Sequence, residues 1–371
     1  MGYNNAPAAY YGNRPSNPDL KPAGTSQFEG GIDVRFLNNR LAFDAAYFVA
    51  NDGPQIFDLG ISEGTGYTSV LQNGLKTQKR GIELSLTGQV LRNRNGLNWD
   101  VLANWSTFKE KLTEIYLGQT SYNTFFKVGD RVDKYYDQTF YRTADGQLIN
   151  DAGGRPIINP VRQFLGHLNP DWVFGVNNRF NCKNFTFSFQ FDGRVGGVIA
   201  NYIQRQTFRG GRHIATTEGA MGIARYEDTK GVKSYIGEGV QIVGTGVINA
   251  DPDGNIKNIG ELQFKPNETK QFLQDYISRR YSPNGGNLMS RTFAKLREVT
   301  LGYSLPSAIA SRMSVRSASI SLVGRNLLYF AEKKDIDLDQ FTGGNVFVGG
   351  GSSDLQTPTT RRFGVNLNLV F

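Results

Sequence analysis

The most constraining feature of this chain is a strict apolar/polar alternation that returns about every other residue in segment after segment. Leu41, Phe43, Ala45, Tyr47 and Val49 share one parity. Ile82, Leu84 and Leu86 alternate with Glu83, Ser85 and Thr87, and Leu97, Trp99, Val101, Ala103 and Trp105 with Asn98, Asp100 and Asn104. Phe185, Phe187, Phe189 and Phe191 alternate with Thr186, Ser188, Gln190 and Asp192, and Phe363, Val365, Leu367, Leu369 and Phe371 close the chain in the same way. Side chains of a strand point alternately to its two faces, so this period predicts half-buried β-strands. With Phe28–Phe36, Trp172–Arg179, Glu298–Ser304 and Ser317–Leu322, the pattern predicts roughly nine strands of about 10 residues, the length a tilted strand needs to cross a bilayer.

The connections alternate as well. Short turns are expected at 38–40, 91–96, 181–184 and 306–314, and long loops at 52–78, 110–171, 195–292 and 329–360. A soluble sandwich has no reason to gather its long connections at one end. An outer-membrane barrel does, with short periplasmic turns and long extracellular loops. The rival folds are a secreted β-sandwich binding module and a barrel that does not transport but serves as an adhesin or scaffold. Nine strands is an odd number, whereas single-chain bacterial barrels are even, so the parity predicts part of a larger barrel.

Composition removes other classes. Aromatic residues make up 12% of the 371 residues, which excludes a disordered chain. One Cys excludes a disulfide scaffold, and two His leave few soft ligands, so no metal site and no cofactor is expected. The longest apolar run is Ala45–Ala50, too short for a membrane helix. Net charge is +8, but the basic residues are scattered, which argues against a nucleic-acid partner. The start of the sequence lacks a basic stretch followed by an apolar one, so no signal peptide is read there.

No constellation points to an enzyme. Gly60-Ile61-Ser62-Glu63-Gly64 matches a nucleophile elbow in letters only, since no helical pattern follows it. Asp251-Pro252-Asp253-Gly254-Asn255 offers alternating oxygens but has Leu262 where an EF-hand needs Glu, so it reads as a turn. Asp335, Asp337 and Asp339 read as a solvated acidic stretch. The 110–171 loop is rich in aromatic residues, and rings offer binding area to sugars or peptides at low entropic cost. Tyr122, Tyr135, Tyr136 and Tyr141 are therefore candidate ligand contacts; packing of the loop is the competing role. Asp192 and Arg194, on the polar face of the Phe-rich strand, are candidate lumen residues, with ordinary wall-lining charge as the alternative.

Several segments, in order along residues 12–371, resemble the SusC/RagA-type TonB-dependent outer-membrane transporters of Bacteroidetes. Asn17-Pro18-Asp19-Leu20-Lys21-Pro22 resembles an NPDLKPE box, with Ala23 in place of Glu. Asn73-Gly74 followed by Lys79-Arg80-Gly81-Ile82-Glu83-Leu84, and Leu165-Gly166-His167-Leu168-Asn169-Pro170, resemble two approaches to strands. Phe293–Pro306, Gly324-Arg325-Asn326-Leu327 and Thr360–Leu367 resemble the closing strands. The resemblance implies a 22-stranded barrel in the bacterial outer membrane that imports oligosaccharides, peptides or similar bulky nutrients. Residues 1–24 would be an extracellular loop leading into the first strand, and 25–371 the C-terminal barrel portion, with the plug domain absent. The implied partners are a SusD-like surface lipoprotein, the TonB complex acting through an N-terminal part, outer-membrane lipids and the barrel-assembly machinery. For that machinery the terminal aromatic, Phe371, would be part of the assembly signal.

Overall fold

A computed structural model describes residues 12–122, 124–334, 336–339 and 359–371. Nine strands form one sheet in sequence order: β1 (Gly24–Phe36), β2 (Leu41–Gly60), β3 (Ser69–Leu91), β4 (Leu97–Glu114), β5 (Trp172–Cys182), β6 (Phe185–Val195), β7 (Phe293–Ser304), β8 (Ser317–Ala331) and β9 (Arg362–Val370). From β4 to β9 every pairing is antiparallel. The alternation predicts this meander because each strand buries neither face in a conventional core and pairs with its chain neighbour.

The chain divides into two compact units. One comprises the residues up to Asp33 with Asp44–Leu84 and Thr107–Val132; the other comprises Val34–Phe43, Ser85–Ser106 and Asp133–Phe371.

In the first unit the expected 52–78 loop is corrected. β2 is 20 residues long and β3 is 23, so most of that stretch is strand and only 61–68 connects them. Gly53-Pro54 and Asn73-Gly74, both within the expected loop, sit inside strands. Glycine is needed at position 74 because a Cβ would come within 2.5 Å of Tyr116 and 2.9 Å of Phe57. Asn73 carries a second duty. Its Nδ2 donates to the carbonyls of Lys21 (2.7 Å) and Pro54 (3.1 Å), and its Oδ1 accepts from the Lys21 amide (2.8 Å). Asn17 Nδ2 donates to Leu71 O at 2.8 Å. Two boxes more than 50 residues apart in sequence are thus one clip.

In the second unit the turns follow their chemistry. Asn38 and Asn39 both hold positive φ (54° and 64°), the backbone of a tight hairpin that asparagine tolerates better than most residues. Lys183 (φ 53°) turns β5 into β6. Across β4–β9 the registers align Trp99, Phe180, Phe187, Leu301, Leu322 and Val365 in one row. Phe187, Leu301, Leu322 and Val365 are exposed although large and apolar. The row below holds Phe185, Tyr303, Ile320 and Leu367. One face of the sheet is an apolar belt with no protein packed over it among the described residues.

The long connections of this unit fold. Residues 196–292 contain α1 (Tyr202–Arg209), α2 (Gly219–Asp228) and α3 (Leu273–Arg280), which close over Phe208, Ala224, Leu273, Tyr276, Ile277 and Tyr281. His213, Phe208 and Tyr281 stack in series, with centroids 4.0 Å apart at both steps. Ile149–Asn150 pairs with Val240–Ile242, which joins the two long connections. The Asp251–Asn255 segment is a turn: the Asp251 carboxylate accepts from the Asn255 amide (2.8 Å) and from its side chain (3.1 Å). Asn159 Nδ2 and Gln163 Nε2 then hold its carbonyls at Gly254 and Asp253.

Candidate functional site on the polar face of the sheet

The opposite face of β6 and β7 carries charge. Asp192 and Arg194 alternate with Phe191 and Gly193, and β7 sets Lys295 opposite Asp192 and Phe293 opposite Arg194. A register shift between Leu296 and Glu298 leaves Arg297 as an extra residue. Such a bulge re-aims a side chain, and here Arg297 joins Lys295 and Glu298 on the polar side. Its guanidinium clamps both Asp192 oxygens at 2.7 Å and reaches Asp339 at 2.5 Å. Lys295 Nζ meets Asp337 at 2.6 Å, Thr359 Oγ1 at 3.0 Å and Asp339 at 3.5 Å. Tyr329 Oη accepts from the Leu338 amide (3.1 Å), and Leu338 packs with Ile199, Met289, Phe293 and Ile336.

This network fastens the Ile336–Asp339 segment to the wall. Burial alone would raise the Asp337 and Asp339 carboxyls. Hydrogen bonds and charge from Lys295 and Thr359 at the first, and from Arg297 and Lys295 at the second, outweigh it and hold both below the ordinary carboxylate range. The two acids are therefore partners of the buried Lys295 and the half-buried Arg297 rather than solvated charges. Asp335 lies outside the described residues, as does 340–358 of the expected 329–360 loop. The matching bulge on β8 explains the Gly324–Leu327 box: Asn326 adopts φ 54° and its Nδ2 donates to Thr360 O at 3.1 Å.

The structure brings Asp192 and Arg194 together in this cluster, Arg194 lying over the Phe293 ring at 5.1 Å. It does not gather the four tyrosines there. Tyr135 is fully buried against Leu168 and Ala200, and burial and the nearby Asp137 carboxylate push its phenol up. Tyr141 is buried with Ile149 and Val240 and lines a cavity of about 770 Å³ with Gln241, Lys265 and Thr269. Tyr122, in the first unit, stands edge-on to Phe57 at 5.8 Å. Tyr136 is half-buried and meets Phe164 at 5.6 Å, with Lys134 Nζ 5.2 Å above its ring. Phe164 is 49% exposed, so this pair presents an open aromatic and cationic surface. Phe371 is exposed beyond the end of β9.

Sequence reasoning missed Lys295, Arg297 and Phe164. The signal for the first two was present: in Phe293–Thr300 the inward parity runs Phe293, Lys295, Arg297 and then jumps to Glu298 and Thr300, the mark of a bulge. Ser62 caps a short turn, accepting from Gly64 N at 3.4 Å, and is no elbow nucleophile. Among the described residues no group of three or more His, Cys, Asp or Glu could hold a metal ion. The arrangement pairs and positions charged side chains.

No protein-family model matches the chain. Among curated proteins it is similar to TonB-dependent receptor P26 of Formosa agariphila, 24% identical over 96% of this chain and 36% of that protein. It is also similar to TonB-dependent receptor P3 of the same organism, 21% identical over 96% of this chain and 35% of that protein. The chain thus spans about a third of the length of these relatives. Among solved structures it resembles the RagAB peptide transporter, with TM-score 0.60 and 19% identity over 95% of this chain and 36% of that one. The RagAB peptide importer in its open-open state gives TM-score 0.62 and 17% identity over 96% and 35% of the two chains. These relatives are receptors and transporters rather than enzymes. The ordered boxes, the apolar belt and the shared fold agree: the chain is similar to a β-barrel portion of TonB-dependent receptors and shares the fold of the RagAB peptide transporter.

Proposed function

We propose that the protein imports a bulky nutrient, a peptide or an oligosaccharide, with this chain supplying lipid-facing wall and substrate-facing loops. The observation that carries the reading is the division of one sheet into two solvents. One face is an uncovered apolar row from Trp99 to Val365, while the other holds the fixed charges Asp192, Arg194, Lys295 and Arg297. A polar lumen inside an apolar girdle passes hydrophilic cargo. Loop surfaces would bind the cargo first. Tyr136 with Phe164 is the open platform, and Tyr122 and Tyr141 would contribute through the edges that their packing leaves. Asp192 would hold Arg297, and Arg194 would meet cargo passing the wall. A SusD-like lipoprotein would cover the loops and the TonB complex would supply the energy.

The test is uptake by cells expressing the full-length protein, using labelled peptide and labelled oligosaccharide pools. Import of one pool, lost without the TonB complex and lowered severalfold by Tyr136→Ala or Arg194→Ala at unchanged surface level, is the expected result. Normal uptake of both pools by cells lacking the protein would defeat the reading. Phe371 would act during assembly: a terminal strand offers unpaired backbone and alternate side chains to a reader. Deleting Phe371 should lower heat-modifiable surface protein far more than Phe371→Tyr, and equal amounts would remove that role.

A further inference from the structure

The first unit carries a feature that nutrient import does not use. Against the middle of β2 and β3 and the loop-side end of β4 lies a cavity of about 630 Å³ whose lining includes Tyr47, Arg80, Ile82, Lys109, Lys111 and Val128. Gly81, Phe108 and Leu112 also line it, and alternation tells on which face its cations stand. On β3, Gln78, Arg80 and Ile82 alternate with Thr77, Lys79 and Gly81. Thr77 is buried and donates to Glu110 Oε1 at 2.7 Å, Lys79 pairs with Glu110 at 3.9 Å, and Gly81 backs onto the Phe48 ring. On β4, Lys109, Lys111 and Thr113 alternate with Glu110 and the fully buried Leu112. Arg80, Lys109 and Lys111 therefore stand on the side away from the Lys79–Glu110 pair, together with Tyr47 and Ile82, both exposed.

The charges of the unit are handled unequally. Lys76 pairs with Glu114 at 2.9 Å, Lys79 pairs with Glu110, and Arg14 pairs with Asp58. Among the described residues neither Lys109 nor Lys111 has an ion pair, and the hydrogen bond given to Arg80 runs from Nε to the neutral Gln78 Oε1 at 2.6 Å. Three cations share one cavity without a carboxylate, beside an apolar floor made by Tyr47, Ile82 and Val128.

We propose that this cavity binds a membrane lipid with a phosphorylated head group, the phosphate set among Arg80, Lys109 and Lys111 and the acyl part on Tyr47, Ile82 and Val128. Cations recognise phosphate through charge-assisted hydrogen bonds, and basic residues beside a bilayer attract anionic head groups. A free phosphate would use the cations but leave the apolar floor idle; an acyl lipid uses both. The proposal rests on outer-membrane placement and is independent of what the protein imports.

The experiment uses the full-length protein, extracted in detergent and stripped of lipid. Diphosphorylated lipid A and its dephosphorylated form are titrated separately and bound lipid is read by native mass spectrometry. The wild type should bind the phosphorylated form at least tenfold tighter. Arg80→Gln/Lys109→Gln/Lys111→Gln should remove that preference, whereas Lys79→Gln, on the other face, should keep it. Should the triple variant fold poorly, Lys109→Gln alone should lower the preference about threefold. Inorganic phosphate at millimolar concentration should not displace lipid A. An unchanged preference in the charge variants, an equal loss with Lys79→Gln, or full displacement by inorganic phosphate would each overturn the proposal. Normal nutrient uptake by the triple variant would show that the site and import are separate.

Discussion

The wall strands β5–β9 and the folded connection at 196–292 use the same residue types in opposite ways. In the wall, Phe185, Phe187, Leu301, Leu322 and Phe363 lie exposed, on strands whose partners add only backbone hydrogen bonds and a continued apolar row. In the connection, Phe208, Leu273, Tyr276 and Ile277 are buried beneath short helices. A chain that hides phenylalanine in one region and displays it in another is built for two solvents. Burying a large apolar side chain is worth roughly 1.5–3 kcal/mol in water, and that driving force vanishes where the surroundings are hydrocarbon. The connection is a water-type fold and the wall a lipid-type one, and the ionic network on β7 marks where the wall's other face returns to polar surroundings.

Breaking that network should have the largest effect. Lys295 is buried, and removing one partner of a buried pair costs about 3–5 kcal/mol because a charge is left behind. In Lys295→Ala of the full-length protein, Asp337 should lose its cation and Asp339 should keep only Arg297. Limited proteolysis should then cut within 336–339 faster than in the wild type. Undiminished protection would mean that Arg297, Tyr329 and the packing of Leu338 hold the segment without Lys295.

The second largest effect separates the two faces of β6. Phe187→Arg in the apolar row should cost about 2–4 kcal/mol in lipid-based folding titrations. Ser188→Arg, one residue away and facing Gln190's side of the strand, should cost much less. Equal costs would erase the distinction between the faces.

Much of this contrast was legible in the sequence. Alternation located the nine wall strands because lipid and lumen faces impose a period of two on every crossing strand. The connections were legible only as long, since a small water-type fold assembled from 133–171 and 196–292 depends on contacts such as Asn159 with Gly254 that no local pattern announces. The extent of β2 and β3 was misread because Gly53, Pro54 and Gly74 signal turns locally, while partners such as Lys21 decide the outcome. At the candidate site, parity exposed Asp192 and Arg194; Asp337 and Asp339 come from a segment more than 40 residues distant, and only the fold brings them to Lys295 and Arg297.

Asn73 tests how far a box in the sequence is a contact in the molecule. Asn73→Ala removes three hydrogen bonds to the Lys21 and Pro54 backbone, and an unmade bond of this kind costs about 1–3 kcal/mol where the partner is shielded from water. The Lys21 amide, which donates to Asn73, should exchange its hydrogen at least tenfold faster in the variant, while amides of β5 and β6 should be unaffected. Unaltered exchange at Lys21 would show that Asn17 alone keeps the clip closed.

The smallest effect should appear in alkali, and only in the water-type region. Burial in the helical cluster pushes the Tyr281 phenol up to about 12, with Arg280 opposing and Tyr235 and Glu238 adding to the shift. In an unfolded chain the phenol titrates near 10. Below pH 10 it is neutral in both states, so the stability it confers is fully present. Between about 10 and 12 the unfolded chain loses its proton first, and that stability drains away as pH rises. Helical circular dichroism of the full-length protein in detergent should therefore decline over that interval while the strand signal of the wall persists. Tyr281→Phe keeps a ring to stack on Phe208, 4.0 Å away in the wild type, and has no proton to lose. Its helical signal should hold to higher pH, and the phenolate absorbance at 295 nm should lose one component that titrates near 12, while Tyr276 and Tyr135, raised further, still titrate later. If the variant declines along with the wild type, the alkaline transition belongs to Tyr276, which lies in the same cluster and is raised by the same burial. The double variant Tyr276→Phe/Tyr281→Phe would then be the one to resist alkali.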